Sequence, residues 1–469
     1  MNDYFDLFGI TEEMVQKIIS VALSTGGDYC DLFFQYRCSR NLHLEDNTVN
    51  QSFSSTDFGV GIRVVNQEQT GFSFTEELTL HAMEEAARTA SAIASSKNSY
   101  KKFNFRIENL PNYYPIEKPW DSVDIKEKMP IVSNINHTVF SLDPRIIKCN
   151  ISLTDTESKV LIINSEGRVT FDYRPLFGLK IMVTAEEQKR RETNISALSG
   201  RLGFEYLQDD VIKDLSQEAV RRTVDLFDAV KPEGGEMEIV LAPGSSGILL
   251  HEAIGHGLEA DFNRKETSLF YNKLGKKVAA PFVSIVDDGT WRNARGSLNV
   301  DDEGNKTEKT FLVKKGILIN YLHDRISSQY YGVRPTGNGR RQSFRYPPTP
   351  RMRNTYMLSG PFTSDEIIKS VKKGIYAETF SNGQVLIGAG DFTFYVKTGY
   401  LIENGKITKP VKDINIIGNG PEVLQNMVMV GDDLKIDSGT WTCGKESQEV
   451  PVSHGLPTVK VSKITVGGI

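Results

Sequence analysis

The sequence predicts an α+β protein, with an N-terminal α+β domain and a largely antiparallel β C-terminal domain that carries one helix of special interest. A long amphipathic stretch, residues 208–230, ends at a Lys-Pro-Glu-Gly-Gly break (231–235), where we place the domain boundary. Beyond this break, pairs of turn-forming residues stand between short strand-like runs, which is typical of antiparallel hairpins. The chain has 469 residues, more than one hydrophobic core usually organises, so residues 1–230 and 231–469 are expected to form separate domains.

The N-terminal domain begins with a helix and two strands. Thr11 is a good helix N-cap residue, and an acidic first turn follows it. The helix then has an apolar stripe, formed by Met14, Val15, Ile18, Ile19 and Ala22. Gly26-Gly27 ends this helix, and residues 31–37 and 40–46 have the pattern of two strands.

The rest of this domain alternates between strands and helices. Residues 58–65 and 70–75 predict a hairpin around Asn66-Gln67, and residues 79–95 have a helical composition. A linker-like stretch, residues 111–120, divides the domain into two candidate subdomains. Three strand-like runs follow, broken by a hairpin turn at Ser165-Glu166-Gly167, before the 208–230 helix closes the domain.

The C-terminal domain is predicted to be mostly β. Three hairpin turns are expected, at Asp288-Gly289, Lys315-Gly316 and Asn404-Gly405. Helices are expected only near 245–257 and 364–373.

Bulk properties exclude several classes of function. The net charge is -5, so no global positive field points to nucleic acid. The N-terminus lacks a basic segment followed by an apolar run, and no long apolar span occurs, so we expect a cytoplasmic protein without a membrane segment. The four cysteines form no C-x-x-C pair and are expected to be free thiols in a reducing compartment.

The helix near 245–257 carries the most informative motif, HEAIGHG at residues 251–257. Zinc peptidases often use H-E-x-x-H, with two histidines four apart on one helix face. His251 and His256 are five apart, which is about 140° around a regular helix, so only a π-type turn would bring both rings to one ion. Gly255 and Gly257 permit such a turn at little cost in free energy, because glycine tolerates unusual backbone dihedral angles. Spacing alone leaves open both a metal site and two helix-end histidines without a ligand role.

The motif is one of several that occur together in a known order. HEAIGHGLEADF is followed by four further segments: VDDEG (300–304), TGNGRR (336–341), PRMRNTY (350–356) and TCGKESQEVPV (442–452). In this combination the chain resembles the TldD/PmbA family of metalloproteases over nearly its whole length, on the TldD side of the family. PmbA-like paralogues lack the histidine motif and act as partner subunits.

The resemblance implies a zinc-dependent peptidase with a defined site. It implies that His251, His256 and Cys443 bind Zn²⁺ and that Glu252 is the catalytic base, which activates the zinc-bound water. It also implies a homodimer, or a heterodimer with a PmbA-like paralogue. Cys443 lies far along the chain, so a chain that ends before Trp441 is expected to lose the metal.

Other residues compete for the third ligand position. Glu259 and Asp261 follow the motif closely, as third ligands do in other zinc peptidases. His454 stands where family members have a small or apolar residue, and it lies close enough to Cys443 in sequence to compete, although an exposed loop histidine is the simpler interpretation.

Six arginines lie between Arg334 and Arg353. A nucleic-acid patch is disfavoured, because interleaved aromatic residues are missing and the protein is acidic. Two interpretations remain: the segment lines the substrate cleft and binds peptide carbonyls or a carboxylate, or it is a surface loop with solvated arginines.

The leading functional hypothesis is therefore a zinc peptidase that cleaves peptides or unfolded segments. The alternative is a non-catalytic peptide-binding or scaffold subunit that keeps a relic motif. A zinc amidase acting on a small molecule is a third hypothesis, which a peptide-library digest would separate from the first.

Overall fold

The computed structural model describes residues 2–45, 47–94 and 103–468, without the side chains of Asn2, Asn382 and Gly468. Its described part is a mixed α+β structure in which strands dominate, as the sequence predicts. The helices are α1 (Asn2–Phe8), α2 (Glu12–Ala22), α3 (Leu80–Ser91), α4 (Ile125–Leu142), α5 (Asp209–Val224), α6 (Ile248–Leu250), α7 (Ala260–Arg264), α8 (Arg325–Tyr331), α9 (Ser364–Lys369) and α10 (Gly420–Asn426). None of the described helices is both long and apolar enough to cross a bilayer.

One sheet of seven strands organises the N-terminal half, and all of its pairs except β4–β6 are antiparallel. Its strands are β1 (Tyr29–Glu45), β2 (Thr48–Asn66), β3 (Gln69–Thr75), β4 (Arg106–Ile107), β5 (Ile146–Asn164), β6 (Arg168–Glu187) and β7 (Arg190–Gly200). The path runs β3-β2-β1-β5-β6-β4, with β7 paired to β6.

The two faces of this sheet serve different purposes, as alternate residues of β1 show. Leu32 and Phe34 pack into the core formed with α1, α2 and α3, and Leu42 packs into the core formed with α4 and α5. Phe33 points to the opposite face, where it packs against Phe344 from the C-terminal half. The helices therefore cover one face, and the other face contacts the C-terminal half.

A second sheet of seven strands and one of six strands build the C-terminal half. The strands up to β14 are β8 (Gly235–Leu241), β9 (Ile285–Asp288), β10 (Lys309–Lys314), β11 (Ile317–Leu318), β12 (Gly339–Arg340), β13 (Thr349–Pro350) and β14 (Asn354–Met357). The remaining strands are β15 (Lys373–Val385), β16 (Asp391–Glu403), β17 (Lys406–Val411), β18 (Ile414–Asn419), β19 (Met427–Val430), β20 (Lys435–Ile436), β21 (Thr442–Lys445), β22 (Gln448–Pro451), β23 (Ser453–Leu456) and β24 (Val459–Gly468).

Most pairs in this half are antiparallel, with β8–β15 and β14–β23 as parallel exceptions. The larger sheet has the order β15-β8-β24-β18-β16-β17, with β19 beside β24. The six-stranded sheet has the order β11-β10-β9-β14-β23-β20, and β12-β13 and β21-β22 form two small hairpin-like pairs. A single large apolar cluster lies among these sheets and includes the side chains that precede the histidine motif.

Several local predictions are confirmed. Thr11 accepts a hydrogen bond from the backbone N–H of Met14, at the start of α2. The turns after Asn66 and Ser165 join β2 to β3 and β5 to β6. Lys315-Gly316 joins β10 to β11, and Asn404-Gly405 joins β16 to β17.

Other local predictions are wrong. The runs 31–37 and 40–46 are one strand, β1, because the polar residues between them pair on both sides without a break. Asp288-Gly289 is not a hairpin turn, since β9 ends there but its partner β10 begins only at Lys309. Residues 46 and 95, the ends of two predicted elements, lie outside the described residues.

Helix prediction missed α4, although Asp124 and Glu127 form a capping box at its N-terminus. In the C-terminal half, α7, α8 and α10 were also not expected. The division of the chain at residue 230, with a further break near 111–120, stays a prediction.

Candidate metal centre

The segment 244–258 enters the core as a chain of short helical turns. β8 leads to Gly244, whose φ of 89° suits glycine, and a 3-10 turn over Ser245–Gly247 follows. The three residues of α6 are buried, and a π-helical turn then spans His251–Gly255. The π-type turn that the five-residue spacing requires is therefore present.

Two close backbone contacts hold this segment in place. A Cβ atom on Gly247 would lie 2.5 Å from the backbone nitrogen of Gly455 in β23. A Cβ atom on Gly255 would lie 2.1 Å from the sulfur of Met352. A larger side chain at Gly247 would push the histidine segment away from β23, whereas one at Gly255 would require the Met352 side chain to move.

The three sequence-predicted ligands come together. One ligand atom from each of His251, His256 and Cys443 lies within 4.8 Å of the others, and all three residues are buried. Cys443 Sγ is 3.4 Å from His256 Nε2, and the two imidazole centroids are 5.0 Å apart. Cys443 arrives on β21, which pairs with β22 in a short hairpin.

The electrostatics of this cluster favour a thiolate. Burial opposes ionisation of Cys443, but the positive charges of His251 and His256 outweigh it and hold the pKa of the thiol well below its usual value. Burial also disfavours charge on His256, yet the carboxylate of Glu259 and the sulfur of Cys443 raise the pKa of this imidazole well above its usual value.

Glu259 orients His256 and does not face the cluster as a third ligand. Its carboxylate is 3.1 Å from His256 Nδ1, which leaves His256 Nε2 directed at Cys443. Burial would raise the pKa of Glu259, but Lys445 and His256 lower it to about 2. Lys445 Nζ lies 3.1 Å from Glu259 and 2.8 Å from Asp261. Both sequence-predicted rivals therefore engage Lys445.

His454 is fully buried, so its interpretation as an exposed loop residue is wrong. It lies on β23, with its ring centroid 4.8 Å from that of Trp441. It does not belong to the three-residue cluster. Burial, together with the charge of nearby His251, holds the pKa of His454 well below its usual value.

The donor set fits a zinc ion. Two imidazoles and a thiolate are ligands that zinc prefers, whereas magnesium and calcium require oxygen. His251 Nδ1 is buried and has no hydrogen-bond partner among the described residues. An unsatisfied buried nitrogen is costly, which a bound metal that engages the ring would help to offset.

An open cleft of about 660 Å³ lies beside the cluster, and Glu252 and His256 line it. Phe262, Lys445 and Glu446 lie at its edge. Much of the remaining wall is apolar and comes from β15, β16, β18 and the turn between the first two: Gln384, Val385, Leu386, Ile387, Asp391, Phe392, Thr393 and Ile417. The motif glutamate therefore faces a space that a ligand can enter.

The arginine segment does not line this cleft. Arg340, Arg341, Arg351 and Arg353 are at most 4% exposed, so a loop of solvated arginines is wrong for these four, whereas the Arg334 side chain is 85% exposed. Arg351 donates a 2.5 Å hydrogen bond to the carbonyl oxygen of Cys443. The segment therefore supports the strand that carries the thiol.

Domain profiles of one family match nearly the whole chain. They are described as PmbA/TldA metallopeptidase domain 1 (residues 30–94), central domain (118–227) and C-terminal domain (234–468). The chain belongs to the PmbA/TldD metallopeptidase family.

Relatives within the family match over almost their full length. A metalloprotease TldD homolog from Haemophilus influenzae is 42% identical, covering 98% of this chain and 97% of the relative. One from Buchnera aphidicola is 41% identical over 94% of this chain and 93% of its own. A zinc metalloprotease TldD homolog from Saccharolobus solfataricus is 29% identical, covering 96% and 99%.

Solved structures share the fold of this PmbA/TldD chain. A crystal structure from Thermotoga maritima has a TM-score of 0.80 at 22% identity and covers 97% of this chain and 100% of its own. TldE from Thermococcus kodakarensis has a TM-score of 0.75 at 16% identity, with coverage of 97% and 100%.

Proposed function

We propose that this chain is the catalytic subunit of a zinc-dependent peptidase that cleaves peptides or unfolded segments. The observation that carries the proposal is the convergence of His251, His256 and Cys443 next to a cleft that Glu252 lines. Zinc, when bound, would supply a Lewis acid that polarises the scissile carbonyl and acidifies water. His251 Nδ1 or Nε2, His256 Nε2 and Cys443 Sγ would hold it.

Each residue around the site has a distinct task. The Glu252 carboxylate would accept a proton from the attacking water and deliver it to the leaving amine nitrogen. Glu259 would hold the His256 ring through Nδ1, and Lys445 would hold Glu259. The apolar cleft wall would bind substrate side chains, since Leu386 and Ile417 are 66% and 42% exposed there.

Glu252→Gln tests this mechanism directly. The expected result is loss of peptide cleavage with zinc retained, because Glu252 is not among the three candidate ligands. Glu446→Gln is a matched control, since it removes a carboxylate that lines the same cleft outside the motif. Two quantities are measured: the cleavage of a peptide library, and the zinc content of the protein by elemental mass spectrometry.

The outcomes separate the hypotheses. Cleavage in Glu252→Gln equal to that of the unmodified chain would refute the role of Glu252. A zinc-loaded chain without chelator-sensitive cleavage would indicate a scaffold subunit, and cleavage of small amides alone would indicate an amidase.

Cys443→Ala tests the ligand set. Near-stoichiometric zinc that falls sharply in this variant would support the three-residue site. A zinc content unaffected by the substitution would indicate that another residue is the third ligand.

We also propose that the chain works in the cytoplasm as a dimer, either with itself or with a PmbA-like paralogue. The structural match to a protein named TldE shows the shared fold only, so the pairing needs its own test. Light scattering after size exclusion should give about twice the mass of the chain, and a monomer that cleaves peptides at full rate would refute it.

A further inference from the structure

A second cavity, unrelated to the cleft beside the cluster, lies between the N-terminal sheet and the C-terminal half. Its volume is about 210 Å³, room for a small ion and several waters. Six arginines line it: Arg37, Arg174, Arg201, Arg295, Arg340 and Arg341. Only two carboxylates, Asp302 and Glu449, share the lining.

Four of these arginines lack an ionic partner. Among the residues that the structure describes, Arg37, Arg201, Arg295 and Arg340 form no ion pair, whereas Arg174 pairs with Asp172 and Asp302, and Arg341 pairs with Asp31. The hydrogen bonds of these four guanidinium groups go to neutral oxygens. Arg37 donates to the Ser39 hydroxyl, and Arg201 donates to the carbonyls of Pro175 and Ser297. Arg295 donates to the hydroxyls of Ser199 and Thr442 and the carbonyl of Trp441, and Arg340 donates to the carbonyls of Met352 and Pro451.

Two buried arginines elsewhere in the chain have carboxylate partners. Arg63 contacts both Asp31 and Glu303, and Arg353 contacts Asp287. A buried charge without a partner costs several kcal/mol, which is why buried ions are normally paired. Outside the cavity, Arg351 is also fully buried and, among the described residues, bonds only to carbonyl oxygens. The cavity differs because four arginines without an ion pair share it, Arg201 and Arg340 buried and Arg37 and Arg295 half-buried.

The two lining carboxylates do not supply the missing charge. Asp302 is already bonded to Arg174, and Glu449 is exposed. Asp57, the cross-strand neighbour of Arg37, pairs with Arg345. Among the described residues, no carboxylate therefore lies within ion-pair distance of these four arginines.

The arginines also repel one another. Burial first, and then the charges of Arg201 and Arg37, lower the pKa of Arg295 to about 10. The pKa of Arg340 is lowered to about 9, mainly by burial. The charge of Asp302 partly opposes this decrease, and the charges of Arg351 and Arg201 add to it. An anion placed between these groups would relieve both the desolvation and the repulsion.

We propose that this cavity binds a small multivalent oxyanion of the phosphate type. Guanidinium groups donate paired hydrogen bonds that match phosphate oxygens, and four unpaired cations suit a multivalent anion better than one carboxylate. The donors come from β1, the end of β7, the loop after β9, and β12, so the anion ties the N-terminal sheet to the C-terminal half.

The site is separate from the metal centre but shares a strand with it. Arg295 and Arg340 hold the backbone or side chains of Trp441, Thr442 and Pro451, on either side of the hairpin that presents Cys443. An anion that fixes these arginines would also steady this hairpin. The proposal does not depend on the peptidase activity.

Calorimetric titration of the zinc-loaded full chain with inorganic pyrophosphate at low ionic strength tests the proposal. One site per chain is expected, weakened about tenfold or more in Arg37→Ala and in Arg295→Gln. Arg191→Ala is the control, since it removes an exposed arginine paired with Glu186 outside the cavity, and its affinity should stay within about twofold.

A parallel titration with ADP distinguishes the source of the phosphate. Binding of pyrophosphate alone indicates a free inorganic anion, and comparable binding of ADP, equally weakened in Arg37→Ala, indicates a nucleotide phosphate group. No binding to the unmodified chain overturns the proposal. Binding that persists unchanged in Arg37→Ala also overturns it, because the anion then sits elsewhere, including on the zinc. Arg37 lies at the partly exposed end of the cavity, so this variant remains informative if Arg295→Gln does not fold.

Discussion

The role of Glu259 gives the sharpest test of the metal centre. Its side chain is 0% exposed and its carboxylate lies 3.1 Å from His256 Nδ1, so the ring depends on this contact for its orientation. Glu259→Gln keeps an acceptor oxygen but removes the negative charge that stabilises the ring as a donor. Carboxylates behind ligand histidines contribute about 10- to 100-fold in metal affinity, or about 1.4–2.7 kcal/mol.

The expected loss of zinc affinity depends on whether the substitution removes only the charge of Glu259 or the hydrogen-bond acceptor as well. Because Glu259→Gln retains an acceptor, we expect about a tenfold weaker zinc Kd, and for Glu259→Ala, which removes the acceptor too, about a hundredfold. Zinc affinity is measured by competition with a chromogenic chelator, and thermal melting checks that each variant is folded.

Asp261→Asn separates ring orientation from simple loss of charge near Lys445. Asp261 shares Lys445 with Glu259, at 2.8 Å, but does not hydrogen-bond to His256. We expect less than a threefold change in zinc affinity for this variant. Equal losses in Glu259→Gln and Asp261→Asn, or an unchanged Kd in Glu259→Ala, would refute the reasoning.

Three further predictions concern stability and zinc loading. Burial, opposed by Arg63, raises the pKa of Glu303 well above its ordinary 4.5, so the folded chain holds this proton more tightly than the unfolded chain. The contribution of Glu303 to the free energy of unfolding should therefore fall as pH rises above about 4.5, and Glu303→Gln should remove this part of the pH dependence in denaturant titrations. Gly247→Ala should prevent zinc loading, since its Cβ meets the β23 backbone at 2.5 Å. Trp120→Ala, which removes a fully buried ring, should lower the free energy of unfolding by about 3–5 kcal/mol.

Each of these has a control or a contradicting result. An unaltered pH profile in Glu303→Gln would show that other groups set the slope. Gly444→Ala is the control for Gly247→Ala, because its Cβ would meet nothing within 4 Å, and similar zinc loss in both would contradict the packing argument. A loss below about 1 kcal/mol in Trp120→Ala would show that the site collapses around the cavity.

Local chemistry explains which parts of the site could be predicted. If His251 and His256 share one ion, their five-residue spacing needs a π-type turn, which the neighbouring glycines permit, and that turn is present. The position of Cys443 came only from the resemblance, since nothing local links residues so far apart. The lysine two residues after the cysteine is the only sequence signal for the contact between Glu259 and Lys445.

Long-range pairing explains what could not be predicted. The sequence predicts two strands in place of β1, because polar residues interrupt the apolar pattern near Arg37. These polar residues nevertheless pair with β2 and β5 without interruption, and Arg37 faces the C-terminal half. The arginine cavity has no sequence signature, because Arg37, Arg201 and Arg340 come from distant segments that only the fold brings together. The capping box of α4 was readable, and its Pro130 helps explain why the helix was missed.

The position of the thiol on the β21–β22 hairpin has a consequence during synthesis. His251 and Cys443 are separated by 192 residues, which a ribosome adds over roughly 10–40 s. Throughout that interval the nascent chain has both histidines and the motif glutamate but no third ligand. If the peptidase mechanism holds, a nascent chain that has not reached Cys443 lacks a complete metal site and cannot cleave itself or its neighbours.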